Sequence, residues 1–99
     1  MSAGLYDTFR DVVPWRGFVE GSDEIPGLEQ HGDPVQIAVR DKRKMARVAE
    51  DVIADRIIWT MPDAPVKPGD LLDGVEVLRV ENAIDREGNV LYWIAYVAG

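Results

Sequence analysis

The sequence predicts an all-β domain: a small barrel-like sheet with long loops and at most one short helix. Three observations carry this. Residues 90–97, VLYWIAYV, contain no charged side chain. In an extended strand one face then carries Val90, Tyr92, Ile94 and Tyr96, and the other Leu91, Trp93, Ala95 and Val97. Both faces are apolar, and covering both calls for barrel closure, a packed helix or a neighbouring subunit. The preceding chain is punctuated by turn signatures, Pro68-Gly69, Asp73-Gly74 and the stretch 85–89, DREGN. Between such turns lie runs rich in β-branched residues, as in 75–82.

From the N-terminus, 5–13, LYDTFRDVV, reads as a first strand or extended arm. Pro14 argues against a central strand crossing that point, because proline lacks the donor a sheet ladder needs. Residues 15–19 resume as a short extended piece. Its Trp15 and Phe18 fit core plugs or interface anchors better than a ligand cage. Residues 20–34, EGSDEIPGLEQHGDP, are acidic, hold three glycines and two prolines, and show no periodicity. They read as a mobile loop, in which Ile25 and Leu28 either anchor the loop on the domain or dock it on a partner.

Residues 35–40 alternate, with Val35, Ile37 and Val39 on one side, which is a strand signal. Asp41-Lys42-Arg43-Lys44 reads as a charged turn or an exposed edge, since lysine-rich edges block unwanted pairing. Residues 45–61 satisfy two patterns. Met45, Val48, Ala49, Val52, Ile53 and Ile57 fall at helical spacing, yet 52–60 is rich in strand formers. A hairpin turning near Ala49-Glu50-Asp51 with a strand over 52–61 reconciles them, leaving 45–49 open between helix and strand. Pro62, Pro65 and Pro68 make 61–70 a stiff extended crossing. The stretch 75–82 is the next strand, 85–89 the hairpin loop, and 90–97 the last strand.

The chain of 99 residues is long enough for one core, and 46% of it is hydrophobic. With no cysteine there is no disulfide framework, thiol nucleophile or Cys-based metal site, which fits a reducing compartment. No signal-peptide pattern opens the chain, and no apolar run approaches the ~20 residues of a membrane helix, so a soluble protein without membrane contact is expected. The net charge of −7 disfavours a stand-alone nucleic-acid binder. Its distribution is uneven. Residues 1–33 hold two basic and seven acidic residues, 34–48 five basic and one acidic, and 49–99 four basic and ten acidic. The basic stripe, Arg40, Lys42, Arg43, Lys44 and Arg47, is either a solvated face or a head-to-tail subunit contact with an acidic surface of the next copy.

Nothing in the sequence reads as a reaction centre. His31, the single histidine, sits in the acidic loop with no recognisable nucleophile context near Ser2, Ser22, Thr8 or Thr60. The glycines are scattered rather than clustered as a phosphate cradle. In 85–89 the glycine comes too early for a calcium loop and no bidentate glutamate follows. Asp70 and Asp73 are accounted for by turn chemistry. No enzyme activity, metal or cofactor is expected.

The residues 52–59, then Pro68-Gly69-Asp70, then Asp73-Gly74-Val75-Glu76-Val77, then 90–97 form a succession that resembles the head-completion, or head-to-tail stopper, proteins of long-tailed bacteriophages. The opening LYDTFRDVV also looks like the first strand of such proteins. The resemblance spans about two-thirds of the chain and rests mostly on turn chemistry. It implies a small β-barrel-like domain with long loops and no catalytic residues. It implies a virion neck protein, assembled in the host cytoplasm, that forms a homo-oligomeric ring. Its neighbours would be portal and adaptor proteins on one side and tail terminator or tail tube proteins on the other. Packaged DNA would pass through the lumen without sequence-specific binding. Candidate interface residues are Trp15, Ile25, Leu28, Tyr92, Tyr96 and the basic stripe. The alternative is a small acidic regulatory module that mimics DNA charge and blocks a nucleic-acid-binding partner.

Overall fold

Antiparallel pairing carries the chain around a closed barrel of six strands in the order β1-β2-β3-β6-β5-β4. The computed structural model describes residues 9–98. The strands are β1 (Asp11–Arg16), β2 (Val35–Ala49), β3 (Val52–Thr60), β4 (Leu71–Leu72), β5 (Val75–Ile84) and β6 (Val90–Val97). A single 3-10 turn, Ser22–Glu24, is the one helical element among the described residues. The all-β barrel read from the sequence is therefore the observed fold, and the residues 45–49 left open there are strand.

Closure follows from the alternation of side chains. Val13, Val39, Ile58, Leu72, Val77, Ala95 and Val97 come from all six strands and meet in one buried cluster, joined by Val66 from the proline-rich crossing. Each large aliphatic in this interior contributes about 1.5–3 kcal/mol by leaving water. Closure also removes most of the free strand edges that a small sheet would expose.

Two turns set the register. Asp73, at φ 53°, and Gly74, at φ 78°, both occupy left-handed backbone between β4 and β5. Two consecutive positive φ values define the type I′ geometry whose twist matches the flanking strands, and Asp-Gly is suited to it. Gly69 has φ 95°, and the Asp70 amide donates to the Lys67 carbonyl at 3.1 Å, so Lys67-Pro68-Gly69-Asp70 is the expected tight turn.

The structure departs from the sequence reading at several points. Pro14 lies inside β1 rather than ending it, opposite Gln36, and its carbonyl accepts the Asp73 amide at 2.9 Å. Only Trp15 and Arg16 of β1 also pair with β4, so the missing donor falls where the ladder is one-sided. The opening strand expected over 5–13 begins at Asp11, and residues 5–8 lie outside the described residues. β4 is only two residues long, too short to leave a pattern. β5 runs on to Ile84. Asp41-Lys42-Arg43-Lys44 is not a turn. It is the middle of a 15-residue strand, and among the described residues β2 beyond Val39 pairs with β3 alone. The exposed-edge alternative is the one the structure adopts. The turn falls at Glu50-Asp51, as expected.

Candidate interaction surface

The site is built from two protrusions and one outward sheet face. The first protrusion is the end of the β2–β3 hairpin. Past Arg43↔Arg56 the ladder shifts register twice, between Arg43 and Ala46 and between Arg47 and Ala49. Such bulges bend a ribbon and increase its twist. The ribbon leaves the barrel with Met45 68%, Val52 39% and Ile53 48% exposed.

Its root is held by a cluster the sequence reading did not find. Arg56 is 6% exposed. Its Nε donates to Asp41 Oδ1 at 3.1 Å, a second guanidinium nitrogen donates to Asp41 Oδ2, and it also reaches Asp73 Oδ2 at 3.0 Å. The hydrogen bond donated to Asp41 raises the pKa of the guanidinium, against the opposing effect of burial. A fork of donors facing carboxylates suits a semi-buried ion pair. The three residues lie 15 and 17 positions apart and meet only through strand register, so no local signal announces them.

The second protrusion is the acidic lobe that joins β1 to β2. It is folded on itself: the Val19 amide donates to the Gln30 carbonyl at 2.8 Å and the Gly32 amide to the Gly17 carbonyl at 2.9 Å. Phe18 bridges His31 in a single antiparallel step. Ser22, 1% exposed, is the residue that turns inward, donating Oγ to the Val19 carbonyl at 2.7 Å. Ile25 at 57% and Leu28 at 48% point into solvent, so they do not anchor the lobe on the barrel.

His31 is structural. Its Nε2 donates to the Gly69 carbonyl at 2.8 Å, and its ring meets Phe18 edge-on at 5.7 Å. An open cleft of about 210 Å³ lies beside it, lined by Phe18, Gln30, His31, Gly69, Leu71 and Glu76. Asp70 is wholly buried. Its carboxylate accepts Trp15 Nε1 at 2.9 Å, the Phe18 amide at 2.8 Å and the Lys67 amide at 3.0 Å. Both oxygens are thus occupied in tying β1 to the proline-rich crossing. Trp15, a candidate anchor by sequence, lends its indole to this knot and is half-buried. Among the described residues no group of three or more His, Cys, Asp or Glu side chains is arranged to hold a metal ion.

The outward face joins β2, β3, β6 and β5. Cross-strand partners point the same way. One row across it is Arg40, Trp59, Ile94 and Glu81; the next is Lys42, Ile57, Tyr96 and Arg79. The Arg40 guanidinium sits 4.9 Å from the Trp59 ring centroid, a cation–π pair. Tyr96 Oη donates to Glu81 Oε1 at 2.6 Å, and this bond, with burial second, raises the phenol pKa. Of the last strand, Ala95 and Val97 are buried in the barrel and Trp93 is half-buried, donating Nε1 to the Pro62 carbonyl at 3.2 Å. Leu91 is 44% exposed past the rim. Val90, Tyr92, Ile94 and Tyr96 lie outside, half-buried against their neighbours. Barrel closure thus serves one apolar face of β6 and leaves the other on the surface.

The structure therefore brings Arg40, Lys42, Arg47, Tyr92 and Tyr96 onto one side of the sheet. Arg43 turns to the opposite side with Arg56, and Lys44 falls in the bulge. Ile25 and Leu28 stand apart on the lobe. Trp59 and Ile57 belong to the outward face but were not singled out by sequence; the apolar run Ile57-Ile58-Trp59, which like 90–97 leaves neither face polar, was the available signal. No protein-family model, curated protein or solved structure matches this chain.

Proposed function

We propose that the chain is a structural subunit of a phage neck, forming a ring between portal or adaptor and tail that closes the head after DNA packaging and receives the tail. The observation that carries this reading is the outward face of β3 and β6. Trp59, Tyr92, Ile94 and Tyr96 form an apolar band on a barrel whose interior is already filled. A half-buried apolar band on the outside of a closed domain supports a contact with another macromolecule. The small all-β barrel and its long hairpin suit a part that works by docking, and the turn succession 68–77 is what suggests the neck as the place. The occupied carboxylate of Asp70 and the engaged His31 give no support to a reactive centre. The charge-mimic alternative loses support from Arg40, Lys42 and Arg47, which run along the outward face and interrupt any continuous acidic surface.

The test is genetic and direct. Particles produced without this chain should be filled heads that leak DNA or lack tails, and supplying the chain should restore them. Intact tailed particles formed without it would overturn the reading.

A further inference from the structure

We infer that the acidic lobe of one copy docks on the basic hairpin of the next, so that copies join head to tail through these two protrusions. The inference rests on the ring reading above and assigns its contact.

The two protrusions are complementary. The lobe carries Glu20, Asp23, Glu24, Glu29 and Asp33 and no lysine or arginine between residues 19 and 33. Of these only Glu29 has an ion-pair partner among the described residues, Arg16 at 3.6 Å. On the hairpin, Lys42, Arg43, Lys44 and Arg47 are exposed, and none pairs with a carboxylate among the described residues. Each protrusion also displays apolar side chains amid its charge. The lobe offers Val19, Ile25 and Leu28, and the hairpin offers Met45, Val52 and Ile53. Charge of opposite sign around an apolar centre is the arrangement of a specific protein contact, with the charges setting register and the apolar residues excluding water.

One molecule does not satisfy itself. The lobe ends where β2 begins, and the hairpin tip lies where β2 ends, 15 residues later. At ~3.3 Å per residue that separation is roughly 45–50 Å, and the molecule's longest dimension is 51 Å. The complement must come from a second copy. Because the two surfaces differ, the contact is heterologous, which propagates into a ring or a filament rather than stopping at a two-fold dimer. A nucleic acid is the less suitable occupant of the hairpin: exposed Met45, Val52 and Ile53 have no use on a phosphate backbone, and Glu50, Asp51 and Asp55 would face it with like charge.

The experiment is a charge swap on the full chain, read by sedimentation equilibrium at low salt over a wide concentration range. The wild type should associate reversibly and dissociate as salt rises. A hairpin variant, K42E/K44E/R47E, and a lobe variant, E20K/D23K/E24K, should each weaken association by about tenfold or more. Mixed together, or combined in one chain, they should associate again. A merely misfolded variant would not regain association on mixing, and circular dichroism checks each fold. A wild type monomeric at every concentration, or no recovery in the swap, overturns the contact. Binding of a duplex DNA oligonucleotide that K42E/K44E/R47E abolishes, without self-association, also overturns it and assigns the hairpin to nucleic acid. If the swap succeeds but intact tailed particles form without the chain, the neck reading fails and the contact stands. If copies in the neck touch through other surfaces, the contact fails and the neck reading stands.

Discussion

Arg56 grips Asp41 across the β2–β3 ladder where the long hairpin leaves the barrel, with Nε to Oδ1 at 3.1 Å. Asp73, from the tight turn between β4 and β5, closes the other side of the same guanidinium at 3.0 Å. The root of the protruding ribbon is thus tied to the barrel rim by charge as well as by the buried Ala54, Ile57 and Ile58. Removing Asp41 leaves a guanidinium that is 6% exposed with half of its partners. Breaking one side of such a pair costs on the order of 3 kcal/mol. Asp41→Ala should lower the urea midpoint accordingly, and Arg56→Ala should do the same. Midpoints unchanged in both would mean that the cluster does not hold the hairpin root.

Asp70 makes a sharper prediction because its donors are two backbone amides and an indole. Asp70→Ala leaves all three part-buried donors without their acceptor, at about 1–3 kcal/mol each. The variant should be largely unfolded at room temperature by circular dichroism, whereas Asp70→Asn, which keeps an acceptor oxygen, should fold with reduced stability. Trp15→Phe loses one of the three bonds and should fall between wild type and Asp70→Ala. Equal stability of all three variants would contradict the knot.

Tyr96 gives a pH dependence with a defined sign. Its folded-state pKa is raised, first by the hydrogen bond to Glu81. The protonated phenol is therefore favoured by the fold. That stabilisation is complete below the unfolded value of about 10 and fades as pH climbs through the higher folded value. Spectrophotometric titration should show one tyrosine ionising late, lost in Tyr96→Phe and moved down toward its ordinary value in Glu81→Gln. No change in Glu81→Gln would contradict the pairing.

The Asp73-Gly74 turn tests register. Gly74 sits at φ 78° with open space where a Cβ would go, so Gly74→Ala meets strain in the backbone alone. A loss of about 1 kcal/mol is expected from thermal melts. A stabilised variant would show that the left-handed backbone at this turn is not required.

The barrel was legible because strand signals and turn chemistry agreed over 68–97. A strand without a charged residue, two glycines after Pro68 and Asp73, and a DREGN loop leave little freedom. The hairpin turn at Glu50-Asp51 was found by weighing strand formers against helical spacing. What escaped depended on register or on pairing between distant segments. Pro14 was tolerated because β1 is paired on one side there, which only the topology reveals. β4 is two residues long. The DKRK run fitted a turn as well as an exposed edge because charge density, read locally, does not distinguish a loop from a ribbon that leaves its barrel. The Asp41–Arg56–Asp73 cluster needs two strands in register and the β4–β5 turn beside them before it exists. On the surface, Tyr92 and Tyr96 were legible from alternation within β6, but their companions Ile57 and Trp59 were not, because only pairing with β2 and β6 fixes which side of β3 faces outward.

The outward band is the point on which the proposed role turns, and a side-chain-resolution reconstruction of the assembled particle neck tests it most directly. This barrel should repeat around the axis, with Trp59, Ile94 and Tyr96 of every copy covered by a neighbouring protein. A neck that lacks the barrel, or holds it with that band facing open solvent, would contradict it.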